Sequence, residues 1–314
     1  MTPLRVGTRG SALALWQAQT VAAHINRAGA RAEIVVIKTG GDRLQDRPLS
    51  EVGGKGLFVK EIEDALLAHE IDIAVHSAKD MSAVLPDGLT IAAVLPREDP
   101  RDALVLPRGT AVVDFSAAVE HLGEMPSIGT GSVRRIAQLA AVLPQATFSP
   151  IRGNVDTRLR KLDNGDYEVL VLAAAGLKRL GLGARISAAI PVEVCIPAPG
   201  QGIVAIEMRV DDLRARDAVS AADDSAAAAS LQAERSIVTA LGGGCQLPLG
   251  AIAVHERHGL TVHAMVATPD GSRVVRRTLS GSVDNPTALG ARVADELASA
   301  GAIAILDALR ATNP

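Results

Sequence analysis

The sequence predicts an α/β protein of two similar lobes, with a hinge and a cleft between them, followed by a small α+β domain. Three observations predict it. Short apolar runs alternate with helical segments at the spacing of parallel strand–helix units. The pattern occurs twice. VGTRGS at 6–11 and IGTGS at 128–132 both read as a strand, Gly-Thr, then a serine opening a helix, and DIAVHSAKD at 72–80 resembles EVLVLAAAGLK at 168–178. After Pro199 the order changes, and three strand-like runs stand together, flanked by helices. The hinge is expected near Pro96–Arg101, and the domains at 1–96 with 200–220, 101–196 and 221–314.

Taken in order, residues 4–8 read as a strand, and Ser11 as the cap of an amphipathic helix running to about Ala28. Ala32–Lys38 is a second strand. The stretch TGGDRLQDRPLSEVGGKG lacks apolar periodicity and reads as a long mobile loop, from Gly40 to Gly54. A helix from Val59 to His69 leads into the strand IDIAVHS. Beyond Pro199, GIVAIEMRV is a strand and Ser225–Ala240 an Ala-rich helix. AIAVHER, LTVHAMVAT and RVVRRTLSG are the three grouped strands, and Pro286–Arg310 is a final helical region.

Composition narrows the function. A chain of 314 residues is long for one core. With 48% hydrophobic and 21% charged residues it is ordinary globular material. A net charge of -3 and 2% aromatics give neither the field nor the stacking platforms for nucleic acid. No window of about eighteen apolar residues free of charge exists, so no membrane span is expected. MTPLRVGTRGS is not patterned as a signal peptide. Two cysteines, Cys195 and Cys245, make no disulfide framework, so the expected setting is a reducing cytoplasm. No metal site is read: His255 and His258 are close in sequence but have no accompanying ligand set.

Cys245 stands directly after Gly242, Gly243 and Gly244, where the backbone can lie against a large ligand. A thiol there is placed for chemistry or is a buried small hydrophobe. Cations gather at loop positions: Arg9, Lys55 and Lys60 around Phe58, Lys79, Arg134, Arg135, Arg152, Arg158 and Arg179. Arg134 and Arg135 fall in a helix's first turn, where they oppose the macrodipole, so an anionic ligand accounts for them better than the helix does. Each cation alone could be a surface charge. Together with Ser11, Thr130 and Ser132 as neutral donors they describe an anion-binding cleft. Asp80 is the odd carboxylate, either an ion-pair partner or a group that holds a cation or moves a proton. Such a cleft serves an enzyme, a solute receptor of the periplasmic type, or a phosphate-ester enzyme using the GTxxS loops.

The stretches TRGSALALWQA, VGGKGLFVKEIE, DIAVHSAKD, REDPRDAL, GTGSVRR, RGNVDTRLRKLD, AAAGLKRLGL, PAPGQG and GGGCQLPLG, in this order, resemble the porphobilinogen deaminase (hydroxymethylbilane synthase) family nearly end to end. The resemblance implies two periplasmic-binding-protein-like lobes with a cofactor-carrying third domain. It implies a dipyrromethane cofactor on Cys245 through a thioether, and a cytoplasmic monomer that condenses four porphobilinogens, with loss of ammonia, into hydroxymethylbilane. Asp80 would stabilise the cation formed when the substrate loses ammonia. Lys79, Asp80, Thr130, Ser132, Arg134 and Arg135 would hold the cofactor. Arg9, Ser11, Lys55, Phe58, Lys60, Arg152, Arg158, Arg179 and Gln201 would hold the substrate and the growing chain. Gly131, where the family often has a hydroxyl, and Met81–Ser82, where a proline-containing turn often follows the aspartate, depart from the pattern.

Overall fold

A computed structural model describes residues 2–40, 59–242, 247–257 and 259–312. The first lobe contains β1 (Leu4–Thr8), α1 (Ala12–Arg27), β2 (Ala32–Val36), α2 (Lys60–Leu67), β3 (Ile73–Ser77) and β4 (Leu89–Val94). The chain then crosses into the second lobe. That lobe contains β5 (Asp102–Val105), α3 (Phe115–Leu122), β6 (Ser127–Gly129), α4 (Val133–Leu139), β7 (Thr147–Ser149), α5 (Val155–Asp163), β8 (Val169–Ala173), α6 (Ala174–Arg179) and β9 (Ala188–Ala189). A second crossing returns it to the first lobe as β10 (Val204–Arg209) and α7 (Leu213–Ser220).

The sheet orders are β2-β1-β3-β10-β4 and β7-β6-β8-β5-β9. The two halves of the repeat therefore occupy equivalent places, β1 matching β6 and β3 matching β8. The alternation predicted parallel sheets, and here the structure differs. β10 runs antiparallel to β3 and β4, and β5 antiparallel to β8 and β9. The reason is connectivity: the fourth strand of each sheet is the one that enters from the other lobe, free of the right-handed crossover that keeps local strand–helix units parallel.

The two crossings lie side by side. Leu95 N donates to Val204 O at 3.0 Å and Glu98 N to Gly202 O at 3.0 Å. Gly202 has φ +89, and a Cβ there would collide with the Glu98 carbonyl, so this approach requires glycine.

The third part holds α8 (Ser225–Ala240), β11 (Leu249–Glu256), β12 (Gly259–Ala267), β13 (Val274–Gly281), α9 (Pro286–Ser299) and α10 (Ala302–Thr312). Its sheet is antiparallel in chain order. The last helical region, read from sequence as continuous, breaks between α9 and α10 at Gly301, whose φ is +95. One helix ties the parts together. Ala227 and Leu231 of α8 pack with Ala78, Met81 and Val94 of the first lobe. Further along, Ala233 and Ile237 join the core of the third part with Val262 and Val293. Met81, a departure from the family pattern, is thus core. Among the described residues no helix is long and apolar enough to cross a membrane.

Candidate active site

β3 ends in a single helical turn, Ala78–Asp80, which sets Asp80 at the carboxyl end of the sheet, where open α/β sheets bind ligands. Asp80 lines one pocket with Arg9, Ser11, Gln17, His76 and Ser77. Ser11 is also the N-cap of α1, its hydroxyl accepting from Ala14 N at 3.3 Å. Gln17 is buried and donates from Nε2 to Ser77 Oγ at 2.8 Å.

Asp102 is the residue that sequence reasoning missed. It begins β5, is fully buried, and gathers the two adjacent arginines of α4. Arg134 Nη1 lies 2.8 Å from Oδ2, and Arg135 reaches Oδ1 from Nη2 at 2.7 Å and Nε at 3.0 Å. Cys195 donates from Sγ to Oδ2 at 3.5 Å. Burial alone would raise the Asp102 carboxyl, yet the two guanidiniums hold it well below the usual carboxylate range. The anion asked for by the first-turn arginines is therefore present within the chain, and the helix-dipole argument by itself does not require a ligand. A carboxylate opening the apolar run ALVL was the available signal. Asp102→Asn keeps the shape and removes the charge. The expected cost is about 1.5–3 kcal/mol by urea unfolding, the usual worth of charge-assisted bonds. A cost near zero would show that the arginines are held by their other partners, Ile196 O and Val171 O.

Gln201, in the second crossing, links this cluster to the first lobe. Its Nε2 donates to Asp102 Oδ1 at 2.9 Å and to Pro100 O at 2.7 Å, and its Oε1 accepts from Lys79 Nζ at 3.4 Å. Burial lowers the Lys79 ammonium to about 8, with Arg135 and Arg134 pushing the same way and Asp80 and Asp102 opposing. Lys79 thus stands among the paired charges of the second lobe.

Arg158, on α5, donates from Nε to Gly153 O at 2.8 Å. Burial, then Arg135, brings it down to about 10; Asp80 opposes and Arg152 adds to the fall. Arg152, Arg158, Arg135 and Asp80 therefore share one field across the cleft. Arg179 donates to Gly202 O at 2.7 Å and lies 5.6 Å from the centroid of the Trp16 ring. Trp16, on α1, thus meets a guanidinium of the other lobe. Thr130 is buried and its Oγ1 accepts from Ser132 N at 3.3 Å, so it serves its own turn. Ser132 is the N-cap of α4 but makes no side-chain cap bond. Lys60 is exposed on the first turn of α2, beside Val59 of the Asp80 pocket. Gly131 has room for a side chain, its nearest neighbour being Ile151 O at 3.7 Å.

Lys55, Phe58, Cys245 and the loop expected at 40–54 beyond Gly40 lie outside the described residues. The chain leading to Cys245 is described up to Gly242, and Arg310 Nη2 donates to Leu241 O and Gly242 O at 2.8 Å each. The hinge has its own anchor in Glu234 of α8. Its carboxylate takes Arg97 from the first crossing at 2.5 Å, Gly200 N from the second at 2.6 Å and Ala253 N from β11 at 2.8 Å. One buried group so joins both crossings to the third part.

The family model described as "Porphobilinogen deaminase, dipyromethane cofactor binding domain" matches residues 4–217 and spans both lobes. The model of the porphobilinogen deaminase C-terminal domain matches residues 228–299. A porphobilinogen deaminase of Thiobacillus denitrificans (strain ATCC 25259 / T1) is 44% identical over 99% of this chain and 100% of its own. Among solved structures, the periplasmic VFT2 domain of Bordetella pertussis BvgS is 18% identical, with 70% of this chain and 86% of that one covered and a TM-score of 0.39. A periplasmic substrate-binding protein of an ABC transporter from Coxiella burnetii is 12% identical over 69% of this chain and 91% of its own, with a TM-score of 0.42. Matched over nearly its whole length, the chain belongs to the porphobilinogen deaminase family.

Proposed function

We propose that the cleft around Asp80 is where this deaminase joins four porphobilinogens head to tail and from which hydroxymethylbilane is released. The observation that carries this reading is one pocket holding Asp80, Arg9 and Ser11, with Lys79 and Arg158 acting on the same carboxylate field from the two lobes. Every pyrrole brings carboxylates, so the growing chain is a polyanion and calls for arginines.

The residues fit a dipyrromethane. Arg9 and Ser11 line the Asp80 pocket as donors, and the second lobe offers Ser132 with no capping duty. Cys245 would hold the group by a thioether, and Lys79, Asp80, Thr130, Ser132, Arg134 and Arg135 would seat it. When bound, the dipyrromethane supplies the pyrrole carbon to which the first substrate is joined. Arg9, Ser11, Lys55, Phe58, Lys60, Arg152, Arg158, Arg179 and Gln201 would seat substrate and growing chain. Asp80 stabilises the positive charge that develops as the substrate loses ammonia. Its charge is worth more in a cleft that excludes water than on a surface. Tethering makes each condensation intramolecular, so orientation is set in advance.

The test is incubation of the purified protein with porphobilinogen. Expected are release of ammonia with each substrate consumed, appearance of hydroxymethylbilane, and an intact mass carrying two linked pyrrole units. Protein that carries that mass yet consumes no substrate would sink the reading. The same reading sets the enzyme in the cytoplasm as a monomer, in keeping with the free thiol of Cys195. Cell fractionation and light scattering check both.

A further inference from the structure

Behind the Asp80 pocket, on the face of the first sheet covered by α2, three ionisable groups are buried together. His76 on β3 lines that pocket and is 6% exposed. Its Nε2 lies 3.0 Å from Oε2 of Glu207, which is fully buried on β10. Glu63, from α2, is the third and is 7% exposed. One oxygen of each carboxylate, Glu63 Oε1 and Glu207 Oε1, is buried without a hydrogen-bond partner. Buried polar atoms are nearly always satisfied, so these two oxygens ask for an explanation. Stability does not provide one, because apolar residues would fill the same space at no loss.

We propose that His76, Glu207 and Glu63 form a proton-holding set for the condensation, with His76 the group at the pocket and the two glutamates its positioning residues. The proposal rests on the reading that Asp80's pocket is the substrate site. Each condensation breaks one C–N and one C–H bond and forms one C–C bond. The C–N electron pair leaves with ammonia. The new C–C pair comes from the attacking terminal ring of the chain, and the C–H pair returns to that ring. One proton thus leaves a ring carbon and finally joins ammonia, and a group that can hold it between the two events is needed. Burial, then the Glu207 carboxylate, push the Glu63 carboxyl up to about 7; His76 opposes and Asp64 of the same helix adds to the rise. Arg209, the other charged group of β10, is turned to Leu66 O and Ile71 O at 2.7 and 2.8 Å.

The experiment measures kcat and KM against pH, from about 5.5 to 9, for the wild-type holoenzyme, Glu63→Gln and His76→Gln. The wild type is expected to show a limb near pH 7, from the Glu63 carboxyl. Glu63→Gln, which mimics the protonated acid and does not titrate, should abolish that limb. His76→Gln should lower kcat roughly 10-fold or more with KM within about twofold. A Glu63→Gln profile superimposable on the wild type overturns the proposal, whether or not His76→Gln folds. A wild type that does not consume porphobilinogen overturns the site reading and this proposal with it; an active wild type with an unmoved profile overturns this proposal alone. Unfolding gives an independent readout. A carboxyl raised on folding stabilises fully below its ordinary value of 4.5, and that stability is lost as pH rises through about 7. The wild type should therefore lose urea resistance relative to Glu63→Gln over that window.

Discussion

Cys245→Ser is expected to abolish cofactor attachment and turnover together while leaving the fold intact. Only two cysteines are available. Cys195 is fully buried, and burial and then Asp102 push its thiol up to about 12, against the pull of Arg134 and Arg135. It is occupied with Asp102 at 3.5 Å and accepts from Gln138 Nε2 at 3.4 Å. The thiolate is the nucleophile, so a thiol so held cannot capture a pyrrole precursor near neutral pH. Cys245 lies three residues beyond Gly242, whose carbonyl accepts from Arg310 Nη2 at 2.8 Å. Intact mass decides. The wild type should exceed its polypeptide mass by two linked pyrrole units, Cys245→Ser should not, and Cys195→Ala should match the wild type in attachment. Retention of the added mass in Cys245→Ser would remove this cysteine from the mechanism.

Asp80→Asn should keep the shape of the pocket and lose the one acidic charge among the described residues that line it, lowering kcat by roughly 10²–10⁴, the range for a positioned charge-stabilising or proton-moving group. KM should change much less, because the arginines and lysines that seat the carboxylates are untouched. Lys79 and Arg158 sharpen the expectation. Both feel Asp80, so its removal should lower the affinity of both for their protons. Steady-state kinetics with porphobilinogen check this, and a kcat loss under about threefold would make Asp80 an ion-pair partner and nothing more.

Much of the fold was legible. The Ser11 cap, the Ala-rich helix at Ser225–Ala240 and the grouped strands follow from patterns a few residues long, set by capping and by burial of one face. The twofold repeat was visible because α1 and α4, which follow the equivalent strands β1 and β6, both open after Gly-Thr and a serine. The strand directions were not, because β5 and β10 take theirs from the lobe they leave rather than from their neighbours in sequence. The cations of the site were found as residue types on loops. Their partners were missed: Asp102 lies 32 residues from Arg134, and Glu207 131 residues from His76.

The sequence by itself determined which residue types gather around the cleft: arginines at strand ends and helix starts, one aspartate beside Lys79, and a cysteine after three glycines, an anion-binding pattern whose particular roles came from the family resemblance. Only the tertiary structure decided which charges are neutralised inside the protein. Coulomb energy and desolvation depend on distance and burial, and chain separation reveals neither. Thus Arg134 and Arg135 share Asp102, Gln201 bridges that pair to Lys79 across the hinge, and His76 and Glu207 meet beneath the pocket with Glu63 close by.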